Sequence, residues 1–75
     1  MTIKQFLNFV RDKAINLERV TIVAVTYDAV KLGGFQNVGD KNTLYMNELN
    51  EFIDISGHLE IQQLEFYDKE ILIGI

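Results

Sequence analysis

Hydrophobic and β-branched residues dominate the segment from Val20 to Val30. The segment reads Val-Thr-Ile-Val-Ala-Val-Thr-Tyr-Asp-Ala-Val, and residues of these types favour a pleated strand. One face of such a strand carries Val20, Ile22 and Ala24, and the other carries Val23, Val25 and Tyr27. Because both faces are apolar, the pattern predicts a strand inside a sheet that is covered on both sides.

A helical period precedes this strand. Thr2 and Gln5 have the residue types and the spacing of a capping box, in which each side chain bonds the backbone N–H of the other residue. Apolar residues then recur at the spacing of one buried helical stripe, at Ile3, Phe6, Leu7, Val10, Ala14 and Leu17. The pattern predicts a helix over residues 3–17.

The middle of the chain predicts a hairpin followed by a second helix. Gly33-Gly34 suits a two-residue hairpin turn, and Asp28-Ala29 is an alternative that shortens the first strand. Either turn predicts a return strand through Phe35 and Val38 that ends at the turn residues 39–42. From Thr43 the spacing becomes helical, and Gly57 is expected to end that helix in a left-handed conformation.

The last third predicts a second hairpin. Leu59 and Ile61 share one strand face, whereas Leu64 and Phe66 have the opposite parity. Since side chains alternate with a period of two, the change of parity predicts one extra residue, a β-bulge at Gln62-Gln63. Residues 67–70 are typical of a tight turn, and residues 71–75 of a closing strand that is apolar on both faces.

These elements predict a single α+β domain over residues 1–75. It has an N-terminal helix, a mainly antiparallel four-stranded sheet and a short second helix between two hairpins. Two short helices cover only one face of such a sheet. The leftover apolar residues of the first and last strands therefore favour contact with a second subunit or a partner protein.

Composition narrows the classes of function. The chain has 75 residues, no cysteine and a net charge of −4. With disulfides excluded, oligomerisation is the favoured reinforcement for so short a chain. Eight of the eleven acidic residues lie in residues 40–75, against two of the seven basic ones, which disfavours nucleic-acid binding. With no signal peptide and no long apolar segment, we expect a cytoplasmic protein without membrane contact.

The loop over residues 34–43 is the nearest approach to a ligand motif. A phosphate-binding loop ends in Gly-Lys followed directly by Ser or Thr, but here Asp40 precedes Lys41 and Asn42 separates the lysine from Thr43. A calcium loop beginning at Asp40 would place Leu44 at a ligand position. We therefore predict no cofactor, and a small-ligand binder or enzyme using this loop is the rival hypothesis.

The rest of the sequence gives little support for a catalytic site or a metal site. His58 is the only histidine and Ser56 the only serine, and the chain has no cysteine. A nucleophilic or metal site needs several such groups. Glu48, Glu51 and Asp54 predict a solvated acidic face on the second helix, or, as the sharper alternative, an acidic surface that meets a basic partner.

The order of elements, ending in Leu-Glu-Phe-Tyr-Asp-Lys-Glu-Ile-Leu-Ile-Gly-Ile, resembles small α+β accessory proteins of phages and Gram-positive bacteria. The resemblance covers the whole chain as a pattern, rests on no diagnostic residue, and implies an accessory factor or inhibitor that binds a larger protein. We therefore expect a non-catalytic protein-interaction module, a homodimer or larger. The expected interaction residues are Val23, Val25, Tyr27 and Leu72 on the sheet and Glu48, Glu51 and Asp54 on the helix.

Overall fold

The computed structural model describes residues 1–12 and 17–75, which form a four-stranded sheet with three helices. The helices are α1 (Ile3–Asp12), α2 (Tyr27–Gly33) and α3 (Leu49–Ser56), with a 3₁₀ turn at Met46–Glu48 before α3; the strands are β1 (Arg19–Val23), β2 (Lys41–Tyr45), β3 (Gln63–Phe66) and β4 (Glu70–Gly74). The order is β2-β1-β4-β3, with antiparallel outer pairs and a parallel β1–β4 pair. The predicted α+β class is confirmed.

Helix α1 begins at the predicted capping box. The Gln5 N–H donates to the Thr2 hydroxyl at 3.2 Å, and the Thr2 N–H donates to the Gln5 side-chain oxygen at 3.0 Å. The helix is confirmed over Ile3–Asp12. Residues 13–16 of the predicted helix lie outside the described residues, and Leu17 is buried in the core without being helical.

The first strand is shorter than predicted, and the hairpin turns proposed at Gly33-Gly34 and Asp28-Ala29 are wrong. Strand β1 ends at Val23, where its parallel partner β4 also ends, and the N–H groups of Val25 and Thr26 both donate to the Ile75 carbonyl. The Thr26 hydroxyl then accepts from the Ala29 N–H at 3.3 Å and caps α2. Capping therefore outweighs the strand preference of the β-branched residues here.

The return strand is displaced along the chain. Phe35 and Val38 lie in the loop after α2, and the returning strand β2 occupies residues predicted as a turn and a helix start. Its Leu44 pairs with Val20 and is buried, which fixes the register of β2. A helix does follow, as predicted, but α3 begins only at Leu49.

The central strands divide cleanly between the two faces of the sheet. Val20 pairs with Ile71, and Ile22 pairs with Ile73. All four side chains are at most 1% exposed and share one core with residues of the three helices. The helices therefore pack on this face, and the alternate residues of β1 and β4 lie on the opposite, helix-free face.

The second hairpin and its bulge agree with the pattern. The Tyr67 N–H donates to the Glu70 carbonyl at 2.8 Å and closes the turn between β3 and β4. Gln63 lies opposite Gly74, and the N–H of Gln62 also donates to the Gly74 carbonyl, at 2.7 Å. Two residues thus oppose one, as in a β-bulge. The predicted strand at residues 59–61 is wrong, since β3 begins at Gln63.

Gly57 joins α3 to the start of α1. Its φ is −64°, so the predicted left-handed conformation is wrong. Its carbonyl accepts the Lys4 N–H at 2.9 Å, and the Leu59 carbonyl accepts the Ile3 N–H at 3.0 Å, which satisfies donors of the first turn of α1. A Cβ added to Gly57 would overlap the Ile53 carbonyl oxygen. A close approach of backbones therefore requires glycine.

Gly57→Ala is expected to lower the free energy of unfolding by about 1–3 kcal/mol, because the backbone must shift to admit the methyl group. Gly34→Ala is the control, since Gly34 has a φ of 79° but open space around it. In this variant only the strain of a left-handed backbone at alanine is added, and it is expected to lower the free energy of unfolding by about 1 kcal/mol. Urea unfolding followed by circular dichroism measures both, and a neutral or stabilised Gly57→Ala variant would contradict the close approach.

Candidate functional site

The helix-free face carries a polar network rather than a continuous apolar surface. The Thr21 hydroxyl and the Arg19 Nε both donate to Oε2 of Glu70, at 2.9 and 2.8 Å. Since the Thr21 proton goes to Glu70, the Thr43 hydroxyl donates to Thr21, at 3.1 Å. The network spans three strands, so the centre of this face is less apolar than the sequence suggested.

The network shifts the acid–base equilibrium of its charged members. Hydrogen bonds from Thr21 and then from Arg19 lower the pKa of Glu70. The same contact with Glu70 raises the pKa of Arg19. A lowered carboxyl pKa stabilises the fold above the pKa of the unfolded chain, and this stabilisation is lost as the pH falls through the folded-state pKa.

Glu70→Gln is therefore expected to destabilise the protein near neutral pH, and the difference from wild type should shrink as the pH falls below about 5. Urea unfolding at several pH values checks this. Thr21→Val is the matched variant, because it removes a donor to the same oxygen without changing charge. The double variant should lose less than the sum of the two single losses. A pH-independent loss in Glu70→Gln would contradict the role of this carboxylate.

The seven residues predicted to bind a partner do not form one surface. Val23 and Leu72 are half-buried on the helix-free face, and Val25 is half-buried after the end of β1. Tyr27 is exposed, but it lies in α2 and not on the strand. The three acidic residues lie on the 3₁₀ turn and α3, across the sheet from Val23 and Leu72.

Two of the three acidic residues, Glu48 and Glu51, border a shallow groove of about 300 Å³ between β2 and α3. Asn42, Leu44, Glu48, Glu51, Phe52 and Ile55 line the groove. Asp54 is exposed on α3 and does not line it. The Glu48 carboxylate accepts the Tyr45 N–H at 3.1 Å, so one of these acids has a local structural role.

The loop over residues 34–43 is held together by its own acidic residue. The Asp40 carboxylate accepts the Asn37 N–H at 3.0 Å, and the Asp40 carbonyl accepts the Ala24 N–H at 3.0 Å. A carboxylate in this loop would repel the anion that a phosphate-binding loop has to hold. Among residues 1–12 and 17–75, no group of three or more histidine and acidic residues could hold a metal ion.

The free edge of β3 exposes two apolar residues, Leu64 and Phe66. Leu64 pairs with Ile73 and Phe66 pairs with Ile71, so both lie on the helix-covered side. Yet Leu64 is 37% exposed and Phe66 is 66% exposed. The Phe66 ring meets the ring of Phe6 on α1 edge to face, with centroids 6.3 Å apart. The row of side chains on the helix-covered side of the sheet therefore extends past the area that the helices cover.

A shallow depression extends this apolar region. Met1, Ile61, Gln62, Gln63 and Leu64 line it, with a volume of about 280 Å³. The Ile61 N–H donates to the Met1 carbonyl at 2.9 Å, which fixes the two segments side by side. We name Met1, Ile61, Leu64 and Phe66 the edge surface.

Backbone groups along the edge surface point outward. Since Tyr67 bonds toward β4, the antiparallel alternation directs the N–H and C=O groups of Leu64 and Phe66 away from β4. Within the described part of the chain, no strand pairs with this side of β3. The opposite edge, β2, begins with Lys41 and has its Tyr45 N–H bonded to Glu48, features that protect an edge.

Among the described residues, the charged groups at this end of the sheet form two ion pairs, and neither includes Glu65 or Asp68. Lys69 pairs with Glu18 at 3.4 Å, and Arg19 pairs with Glu70. Glu65, on the helix-free side of β3, instead accepts the neutral Tyr67 hydroxyl at 2.7 Å. This hydrogen bond raises the pKa of Tyr67 and leaves the charge of Glu65 unneutralised.

No protein-family model, no curated protein sequence and no solved structure matches this chain. None of the helices in the described residues is both long and apolar enough to cross a bilayer.

Proposed function

We propose that this protein is a non-catalytic interaction module that binds another polypeptide through the edge surface. The observation that carries the proposal is the 66% exposure of Phe66, an aromatic residue in the core-facing row of β3, an edge strand whose outer side pairs with no strand of the described residues. Exposed apolar edge strands are uncommon because they promote pairing with other chains. An accessory or inhibitory role toward a larger protein, in the cytoplasm, is part of the proposal.

The geometry favours this surface over the helix-free face. There, the apolar residues Val23 and Leu72 are half-buried and lie beside the network centred on Glu70. At the edge surface, a ring already seated against Phe6 offers most of its area to solvent. Aromatic residues are enriched at protein interfaces because they contribute a large rigid contact area.

A photo-crosslinking experiment tests the proposal. Benzoylphenylalanine at position 66 is expected to crosslink one protein in a lysate of the source cells, and excess unlabelled protein should abolish the product. The same probe at position 55 is the matched control, because Ile55 is 64% exposed but lies on α3, away from β3. Equal labelling from both positions, or none that competes, would contradict the proposal.

A further inference from the structure

We propose, building on the proposed function, that the partner supplies an extended basic segment that pairs with β3 as a fifth strand. Alternate residues of this segment are apolar and cover Leu64 and Phe66, and a basic residue between them faces Glu65.

The outward backbone groups specify a strand rather than a helix. The N–H and C=O groups of Leu64 and Phe66 point into the open edge, and a paired strand satisfies all of them at once. A docked helix has no free N–H or C=O groups to offer along its length. The bulge at Gln62-Gln63 and the turn after Phe66 restrict regular pairing to a short segment.

The side chains of β3 specify the pattern of the incoming strand. Leu64 and Phe66 lie on the helix-covered side, whereas Gln63 and Glu65 lie on the helix-free side. Since side chains of a paired strand alternate in step with those of β3, one set packs on Leu64 and Phe66 and the other faces Glu65. This requires apolar residues at every second position.

The charge of Glu65 favours pairing of β3 with a different protein over pairing with a second copy of this chain. Glu65 keeps an unneutralised charge, since its hydrogen-bond donor is the phenol of Tyr67. A second copy that paired antiparallel through the same edge would place its own Glu65 opposite this one, and like charges directly opposite each other on paired strands are destabilising. A lysine or arginine opposite Glu65 is instead attracted, so the occupant is a basic segment of another protein.

Defined peptides test the mode of binding on the full chain. The probes are two capped hexapeptides, one of alternating lysine and valine and one of alternating glutamate and valine. Amide hydrogen exchange followed by NMR is expected to show that the lysine peptide protects the N–H groups of Leu64 and Phe66. It should bind about fivefold more tightly than the glutamate peptide, and Glu65→Lys should reverse this preference.

Two variants at position 64 separate backbone pairing from side-chain contact. Leu64→Pro removes an outward N–H at an edge position that tolerates proline, and it should weaken binding of the lysine peptide about tenfold. Leu64→Ala keeps the N–H and should weaken binding less. Circular dichroism establishes that each variant is folded. If Leu64→Pro fails to fold, the reversal in Glu65→Lys decides the question.

Other outcomes would overturn strand pairing. These are no peptide binding, protection confined to β2, equal affinity for the two peptides, or protection of Leu64 and Phe66 that grows with protein concentration alone. The last result would identify a second copy as the occupant. If crosslinking from position 66 persists in any of these cases, the proposed function stands and only the mode of binding fails.

Discussion

Replacing Ile73 by alanine is expected to lower the free energy of unfolding by about 2–5 kcal/mol, because the methyl groups lost leave a cavity in a packed core. Ile73 is fully buried and lies between Ile22 on β1 and Leu64 on β3. A domain of 75 residues has a total stability of about 4–11 kcal/mol. The loss is therefore a large fraction of the total, and the urea concentration at the midpoint of unfolding, measured by circular dichroism, should be much lower for the variant than for wild type.

The neighbouring residue is the matched control for this prediction. Leu72 precedes Ile73 on β4 but points to the helix-free face, where it is only half-buried. Since part of its surface already contacts water, Leu72→Ala should cost less than half as much as Ile73→Ala. Equal or reversed losses would contradict the assignment of the two faces of β4.

Features encoded by neighbouring residues could be predicted from the sequence. The capping box of Thr2 and Gln5 formed as expected, because its atoms lie within one turn of backbone. The turn of the second hairpin also followed from local turn chemistry, whereas the strand at residues 59–61 that the parity argument assumed is absent, since β3 begins at Gln63. Each of these signals depends on few distant contacts.

The segment between β1 and β2 could not be predicted because a distant strand determines where β1 ends. The parallel ladder stops at the pair of Val23 with Gly74, and the Ile75 carbonyl then takes the N–H groups of Val25 and Thr26. Nothing in residues 20–30 indicates where residue 75 lies. Once the ladder stops, the capping hydroxyl of Thr26 directs the chain into α2.

The edge surface was missed for a related reason. The sequence pattern places Leu64 and Phe66 on one face of a strand, and the register with β4 shows that this face is the one that carries Ile71 and Ile73. Their exposure depends on how far the helices extend across the sheet, which is a property of packing and not of β3. The exposure of these two side chains can be seen only in the packed structure, where the helices leave this edge of the sheet uncovered. Apolar side chains that face the helix side of a sheet but remain exposed favour an interface with another protein.

Phe66→Ala is expected to weaken binding of the partner identified by crosslinking about thirtyfold or more, the loss typical of an aromatic anchor at the centre of an interface. The ring is seated against Phe6 yet mostly exposed, so in a complex it would be enclosed from both sides. Isothermal titration calorimetry measures the affinity. The stability of the free protein should change much less than in Ile73→Ala, because little of the Phe66 surface is buried on folding.

Ile55→Ala is the control for the anchor, since this residue is almost as exposed as Phe66 and lies on α3 beside the groove along β2. It should leave the affinity within about twofold, as for residues outside an interface. A larger loss of affinity in Ile55→Ala than in Phe66→Ala would indicate that the interface lies at that groove, where Glu48 and Glu51 would contact the partner. Equal losses in both variants, with both still folded, would mean that the partner covers the two edges of the sheet together.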